Sequence, residues 1–390
     1  MKLNHNLHLA YSTNIHRGRT WGETLDALER HTLAVREKVC PGGWFGIGLR
    51  LSAEAARELA DRKTLAGFQR WLDKNSCYVF TINGFPYGQF HGMGVKEKVY
   101  LPDWTSPERL DYTNLLFDLL SELLPPGMAG SVSTLPGSFK DFIKTGAQEE
   151  AIRQNIWSCV EHVSAVSARS KRGMHLGLEP EPLCLWENSA ETILLFERLR
   201  ADRKNDSRLD EFLGVTYDCC HFAVEFEEPQ AALAAFGEAG IKISKIHLSS
   251  ALKAAATSEA RGALRKFADD VYLHQVVARE RDGQKRFFRD LPEAMDDGSM
   301  LTVQNSPRAE WRIHFHVPLH APAAPPLENT NDHLMGVLEV LGGQPALCSH
   351  LEMETYTWEV LPAELKSSSV VDQLAAEYHW TLARLREFNL

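Results

Sequence analysis

The chain has 390 residues, 44% of them hydrophobic and 24% charged, which excludes a largely disordered protein. Its 42 basic and 52 acidic residues leave a net charge of −10, which argues against a general nucleic-acid-binding surface. Length alone allows two or three domains, although α/β barrels run past ~250 residues as one domain. In chain order the β-rich runs are His8–Ile15, Phe45–Leu51, Cys77–Asn83, Gly130–Leu135, Met174–Glu181, Val215–Asp218, Ile241–Ser249 and His350–Trp358. Helical patterns lie between them. Thr20 and Glu23 form a capping box before Leu25, Leu28 and Val35. Ser52, Ser106 (before Pro107) and Ser189 read as N-caps, and Pro229 as the first residue of another helix. Residues 368–388 form a last amphipathic helix.

Eight strand candidates, each followed by helical sequence, predict a (β/α)8 TIM barrel with a C-terminal helix. An open doubly wound sheet would carry GxGxxG after its first strand, and this chain does not. About a hundred residues separate the seventh and eighth strands. The whole of 1–390 is therefore read as one domain, with 270–330 as a rim insertion that folds over the opening as a lid. Seven cysteines without a CxxC suit reduced thiols in a cytoplasmic protein. The first residues, with Asn4, His5, Asn6 and His8, lack the apolar run of a signal peptide, and no run is long enough for a membrane span.

Catalytic groups of such barrels sit at the C-terminal ends of strands, and residues two apart in a strand share a face. The fifth strand ends with Glu179 and Glu181, the sixth with Asp218, and His221 follows. The seventh puts Lys245, His247 and Ser249 on one face, and the eighth Glu352, Glu354 and Tyr356. Burying several carboxylates together costs on the order of several kcal/mol each without a cation. A divalent metal held by Glu179, Asp218, His247 and Glu354 removes that cost. Three carboxylates and one imidazole suit Mn²⁺ or Mg²⁺, with Zn²⁺ or Co²⁺ as alternatives.

LGLEPEP, Asp218-x-x-His221, IHLSS and ETYTW resemble the xylose-isomerase-like barrels, a superfamily of sugar isomerases, ketose 3-epimerases and endonuclease-IV-like hydrolases. The resemblance implies Glu179, Asp218, His247 and Glu354 as metal ligands and Glu179 and Glu354 as the proton-moving pair. It implies His221 as a substrate contact. TNIHRGRTW, NGFPYGQFHG, VKEKVYLPDW, RIHFHVPLH and LEMETYTWEVLP resemble, more narrowly, the EboE-type metabolite-traffic proteins of secondary-metabolite export.

Other polar residues are candidate substrate contacts: Glu181, Asn83, Tyr87 and His91 near the third strand, Lys245, and His316 carried by the lid. His314, in H-x-H with His316, and His274 are candidates for an additional metal or for the lid. Cys220 shares the face of Asp218 and reads as a soft ligand or a small buried residue. The leading expectation is a metal-dependent isomerase or epimerase of a sugar-like, polyhydroxylated or keto metabolite, acting through a metal-bound enediolate. The alternatives are a multi-metal phosphoester hydrolase of the endonuclease-IV-like type and a non-catalytic metabolite-binding or traffic protein. A small-molecule substrate is expected, and a homo-oligomer is left open.

Overall fold

Hydrophobic runs spaced by helices build thirteen strands among the described residues of the computed structural model, which are 1–89, 91, 96–280, 282–297, 309–321 and 323–390. They are β1 (His8–Tyr11), β2 (Phe45–Arg50), β3 (Cys77–Asn83), β4 (Gly130–Thr134), β5 (Met174–Leu178), β6 (Leu213–Asp218) and β7 (Lys242–Leu248). Then follow β8 (Ala251–Ala255), β9 (Val276–Arg279), β10 (Lys285–Phe288), β11 (Glu310–His316), β12 (Leu327–Asn329) and β13 (His350–Met353). The first seven and the last pair in parallel in the order β1-β13-β7-β6-β5-β4-β3-β2. A parallel bridge from Ser12 to Gly48 joins the two ends. The result is a nearly closed (β/α)8 TIM barrel. Its strands are buried on both sides, as in other parallel sheets, with Leu9, Ile47, Val79, Leu176, Val215, Ile246 and Leu351 at 0% exposure.

The helices start where local chemistry supplies a cap. Thr20 and Glu23 complete a capping box, Ser52 and Ser106 accept the expected backbone N–H bonds, and Pro107 and Pro229 open their helices. The cap before 189–202 is Asn188 rather than Ser189, because the Asn188 side-chain Oδ1 accepts from the N–H of Glu191. The C-terminal helix, Val370–Glu387, is capped by Ser369.

Between β7 and β13 the chain folds a second, antiparallel sheet in the order β10-β9-β11-β8-β12. It begins only two residues after β7, with β8, whose ALKAA sequence carries little β signal. Trp311, Ile313 and Phe315 of β11 pack with Leu252, Val276 and Leu327 into a hydrophobic cluster of its own. By strand alternation His314 and His316 take the other face. Arg312 ties this sheet to the barrel by donating to the Ala223 carbonyl at 2.7 Å. The eighth barrel strand stops at Met353, short of the expected Trp358. Residues Tyr356–Glu359 form a 3₁₀ turn instead.

Candidate metal centre

The ends of β5, β6, β7 and β13 meet at the mouth of the barrel. Glu179 follows β5, its N–H donating to Thr134 O at 3.0 Å. Asp218 ends β6 and caps the short helix Cys219–Val224. Its Oδ1 accepts from the His221 N–H at 3.0 Å and from the Ser249 hydroxyl at 2.7 Å. The parallel register sets Asp218 opposite His247, and His247 opposite Glu352. Glu354 lies two residues past Glu352, and its Oε1 accepts from the amides of Asn14 (2.6 Å) and Asn83 (3.3 Å). The Asn83 oxygen is occupied by the Phe85 N–H at 3.1 Å, which turns the amide NH₂ toward Glu354.

His247 is the hub. Its Nδ1 lies 2.9 Å from Glu179 Oε1, 2.9 Å from Glu354 Oε2 and 3.3 Å from Asp218 Oδ2. One ring nitrogen carries at most one proton and cannot satisfy three carboxylates. Asp218 Oδ2 makes no hydrogen bond although the residue is fully buried. On the other edge of the ring, Nε2 lies 2.9 Å from Glu352 Oε2, and the same oxygen is 2.5 Å from Lys245 Nζ. With Nε2 donating to Glu352, Nδ1 faces the three carboxylates, where an ion would take the place of the proton that those charges favour. Metal-ligating histidines are oriented this way, the second N–H held by a carboxylate. One ligand atom from each of Glu179, Asp218, His247 and Glu354 lies within 4.8 Å of all the others, and all four residues are buried. This donor set fits a divalent cation of hard or borderline character.

Burial opposes charge on Asp218, His247 and Glu352, yet the charges around them offset it. The carboxyl of Asp218 is kept well below its usual range by His221, His316 and His247. His247 is pushed well above its ordinary value by Glu179 and Glu354. Glu352, despite burial, is held down to about 2 by Lys245 and His247. Glu352 fits only because Gly48 stands opposite, where a Cβ would come 1.9 Å from its Oε1. Sequence reading placed Glu352 on the same face as Glu354 but assigned it no role. The signal was the Lys245-x-His247 pair opposite it.

A cavity opens over these residues. Asn14, Asn83, Lys96, Glu179, Glu181, His221, His314 and Glu354 supply its polar lining, and Phe85, Tyr100, Tyr272 and Tyr356 supply rings. Burial pushes the Glu181 carboxyl up to about 7. It accepts the Tyr100 hydroxyl, and Gln275 of the insertion lies 3.4 Å away. Neither Tyr100, Gln275 nor Asn14 carries a local motif that would have singled it out. Five expected residues lie apart from the cavity lining, among them His316, whose Nδ1 faces the Glu354 carbonyl at 2.8 Å. Tyr87 bonds Arg57 at 2.9 Å. His91 bonds the Asn14 carbonyl and Tyr272 from the far side. His274 is held by Asp269 and the His314 carbonyl. Lys245 is fully buried below His247, bonded to Glu352 and, at 3.0 Å, to Ser133.

No protein-family profile matches the chain, and no curated protein sequence does. Solved structures do. A xylose isomerase domain protein from Planctomyces limnophilus aligns over 100% of this chain and 99% of that one, with 12% identity and a TM-score of 0.52. D-Psicose 3-epimerase with D-tagatose from Clostridium cellulolyticum covers 98% of this chain and 99% of its own, with 10% identity and a TM-score of 0.52. L-ribulose 3-epimerase covers 98% and 95%, with 12% identity and a TM-score of 0.51. The chain has the fold of the xylose-isomerase-like TIM barrels. Among the described residues no helix is long and apolar enough to cross a membrane.

Proposed function

We propose that the protein is a divalent-metal-dependent isomerase or epimerase of a small sugar-like or keto metabolite. The observation that carries this reading is His247 Nδ1 facing three carboxylates that share no proton donor adequate to them. Glu179, Asp218, His247 and Glu354 would hold the ion, with Mn²⁺ or Mg²⁺ favoured by the oxygen-rich set and Zn²⁺ or Co²⁺ also suited. Bound there, a divalent ion supplies Lewis acidity toward neighbouring hydroxyl and carbonyl oxygens. Glu179 and Glu354 both border the cavity and act as the proton-moving pair, one taking a carbon-bound proton and the other returning one. Asn14 and Asn83 donate to Glu354 and orient its carboxylate. The rings of Phe85, Tyr100, Tyr272 and Tyr356 supply an apolar wall for the carbon skeleton of the substrate. Residues 270–330 contribute Tyr272, Leu273 and His314 to this wall, which is the role of a lid. Placement in a secondary-metabolite pathway rests on the EboE-type resemblance, and a cytoplasmic location on the seven cysteines without a CxxC.

The test is solvent exchange. Mn²⁺-loaded protein incubated with a panel of ketopentoses and ketohexoses in D₂O is expected to place deuterium at one carbon of its substrate. Glu179→Gln and Glu354→Gln are each expected to lower that turnover by about 10²–10⁴-fold. Full turnover in both variants would sink the assignment. Binding of a ketose without exchange would identify the non-catalytic reading instead.

A second reading, phosphoester hydrolysis, is favoured by one observation, the further imidazole and thiol donors that adjoin the first set. Release of nitrophenol from bis(p-nitrophenyl) phosphate, lost in Glu179→Gln, would support it.

A further inference from the structure

A second cavity, of about 640 Å³, opens beside the first, and among the described residues the two linings have no member in common. The loop after β1 divides them. Asn14 turns its amide to Glu354 in the first cavity, whereas His16, Arg17 and Arg19 line the second. Across it stand Arg30, from the turn Leu28–Thr32, and Arg50, the last residue of β2. Four guanidinium groups therefore border one cavity.

Three of the four have carboxylates. Arg17 donates to Glu359 through two nitrogens, at 2.6 and 2.9 Å. Arg19 bonds Glu54 at 2.7 Å, and Arg30 stands 3.6 Å from Asp26. Glu23, also in the lining, accepts the backbone N–H of Arg19 at 2.7 Å.

Arg50 bonds no carboxylate among the described residues. It is 5% exposed, and its two terminal nitrogens donate to the carbonyls of Gly18 (2.7 Å), Pro86 (3.1 Å) and Gly88. Its Nε is buried without a hydrogen-bond partner. Burial lowers the guanidinium from its ordinary value, and the opposing influence is the Tyr112 hydroxyl rather than a carboxylate. Carbonyl dipoles hold the group in place but leave its charge uncompensated, which is costly in a buried setting. Arg109 shows another solution. It too is buried, with the Pro102 and Gly84 carbonyls at 2.8 Å as its acceptors and one nitrogen unpartnered. Yet it lies 5.6 and 5.5 Å from the ring centroids of Tyr87 and Tyr112, whose faces stabilise a cation. Arg50 borders a cavity instead.

We propose that this second cavity is an oxyanion site, taking inorganic phosphate or the phosphoryl group of an ester, separate from the carboxylate-rich centre at His247. The anion supplies the counter-charge that Arg50 lacks and an acceptor for its Nε. Arg30, 75% exposed and beyond hydrogen-bond distance of Asp26, turns onto the same ligand from another segment. Donors spread around a space suit a group with oxygens on several sides, whereas a planar carboxylate is matched by a single guanidinium fork.

Calorimetric titration tests this. Full-length protein in phosphate-free buffer, as purified and again with a chelator, is titrated with inorganic phosphate, glucose 6-phosphate and acetate. One equivalent of phosphate or of the ester is expected in both states, and the tighter of the two identifies the source. Arg30→Ala should weaken binding about 10-fold. Arg50→Lys, which keeps the charge but lacks Nε, should weaken it at least as much. Ala27→Glu, which sets a carboxylate in the cavity wall, should abolish it. Arg169→Ala, an exposed arginine outside the lining, should change nothing. Absence of saturable phosphate binding in the unmodified protein overturns the proposal. Binding lost on chelation also overturns it, because the anion then sits on a metal ion, and leaves the functional reading intact. Acetate binding as tight as phosphate overturns the ligand class. Unchanged affinity in both Arg30→Ala and Ala27→Glu overturns the location. If Arg50→Lys does not fold, as judged by circular dichroism, those two variants decide.

Discussion

The two ends of the barrel solve the burial of polar side chains in opposite ways. At the C-terminal mouth, Glu179, Asp218 and Glu354 crowd one nitrogen of His247, and Lys245, the only buried lysine among the described residues, is paired with Glu352. At the N-terminal floor, His8, His175 and His350 are paired one to one with the hydroxyls of Tyr78, Ser244 and Ser131 at 2.7–2.9 Å. A hydroxyl both donates and accepts, so it matches whichever role Nδ1 of a neutral imidazole takes and asks for no ion there. Carboxylates only accept, and three of them around one lone pair require a cation. The donor count, not the abundance of histidine, separates a binding site from a polar floor.

Removing the carboxylate that supports His247 tests the mouth most severely. Glu352→Gln leaves Lys245 as a buried, unpaired charge and should cost about 3–5 kcal/mol of stability, read by denaturant unfolding. It should also weaken metal binding at His247 by about 10–100-fold, because the ring loses the partner that orients it. Adding Lys245→Met should restore most of the stability and none of the affinity. Recovery of both together would mean that Glu352 acts only through packing.

Acid should strike the floor. Burial lowers His8 to about 4 and His175 to about 3, so both stay neutral in the folded protein while the unfolded chain protonates near 6.5. Folded values below unfolded ones mean that this contribution is intact above pH ~6.5 and is lost as pH falls toward 4 and 3. The melting temperature of metal-free protein should therefore drop progressively below pH 6.5, and less so in His175→Gln. A flat profile over that window would place the floor histidines outside the stability balance. The smallest expected change is Ser244→Ala, which deprives His175 of one hydroxyl and should cost about 0.5–1.5 kcal/mol with metal affinity unchanged. A loss of metal affinity in this variant would blur the distinction between the two ends.

Much of the mouth was readable before any coordinates. Strand alternation put Glu179 with Glu181, Lys245 with His247, and Glu352 with Glu354, and Asp218 closed its strand. What alternation does not encode is which member of a pair reaches the centre. Glu354 meets His247 Nδ1 and Glu352 meets Nε2 because the β7/β13 register sets Glu352 level with the ring. The NGFPYGQFHG loop shows the same limit. Asn83, held in β3, lines the cavity, whereas Tyr87 and His91 are drawn away by Arg57 and by Asn14 and Tyr272. The insertion was legible as β-rich, yet β8 and the five-stranded order were not, since an ALKAA strand is held by its partners β11 and β12 rather than by propensity.

By itself the sequence determined the βα alternation, the caps that start the helices and the carboxylates at the strand ends, because these depend on local period and local hydrogen bonding. Tertiary structure decided the rest. Contacts across 93 to 107 residues set Glu352 beside Lys245 and brought His314 and His316 from the inserted sheet against His221. Contacts between such distant segments depend on register and packing, which no short window of residues contains.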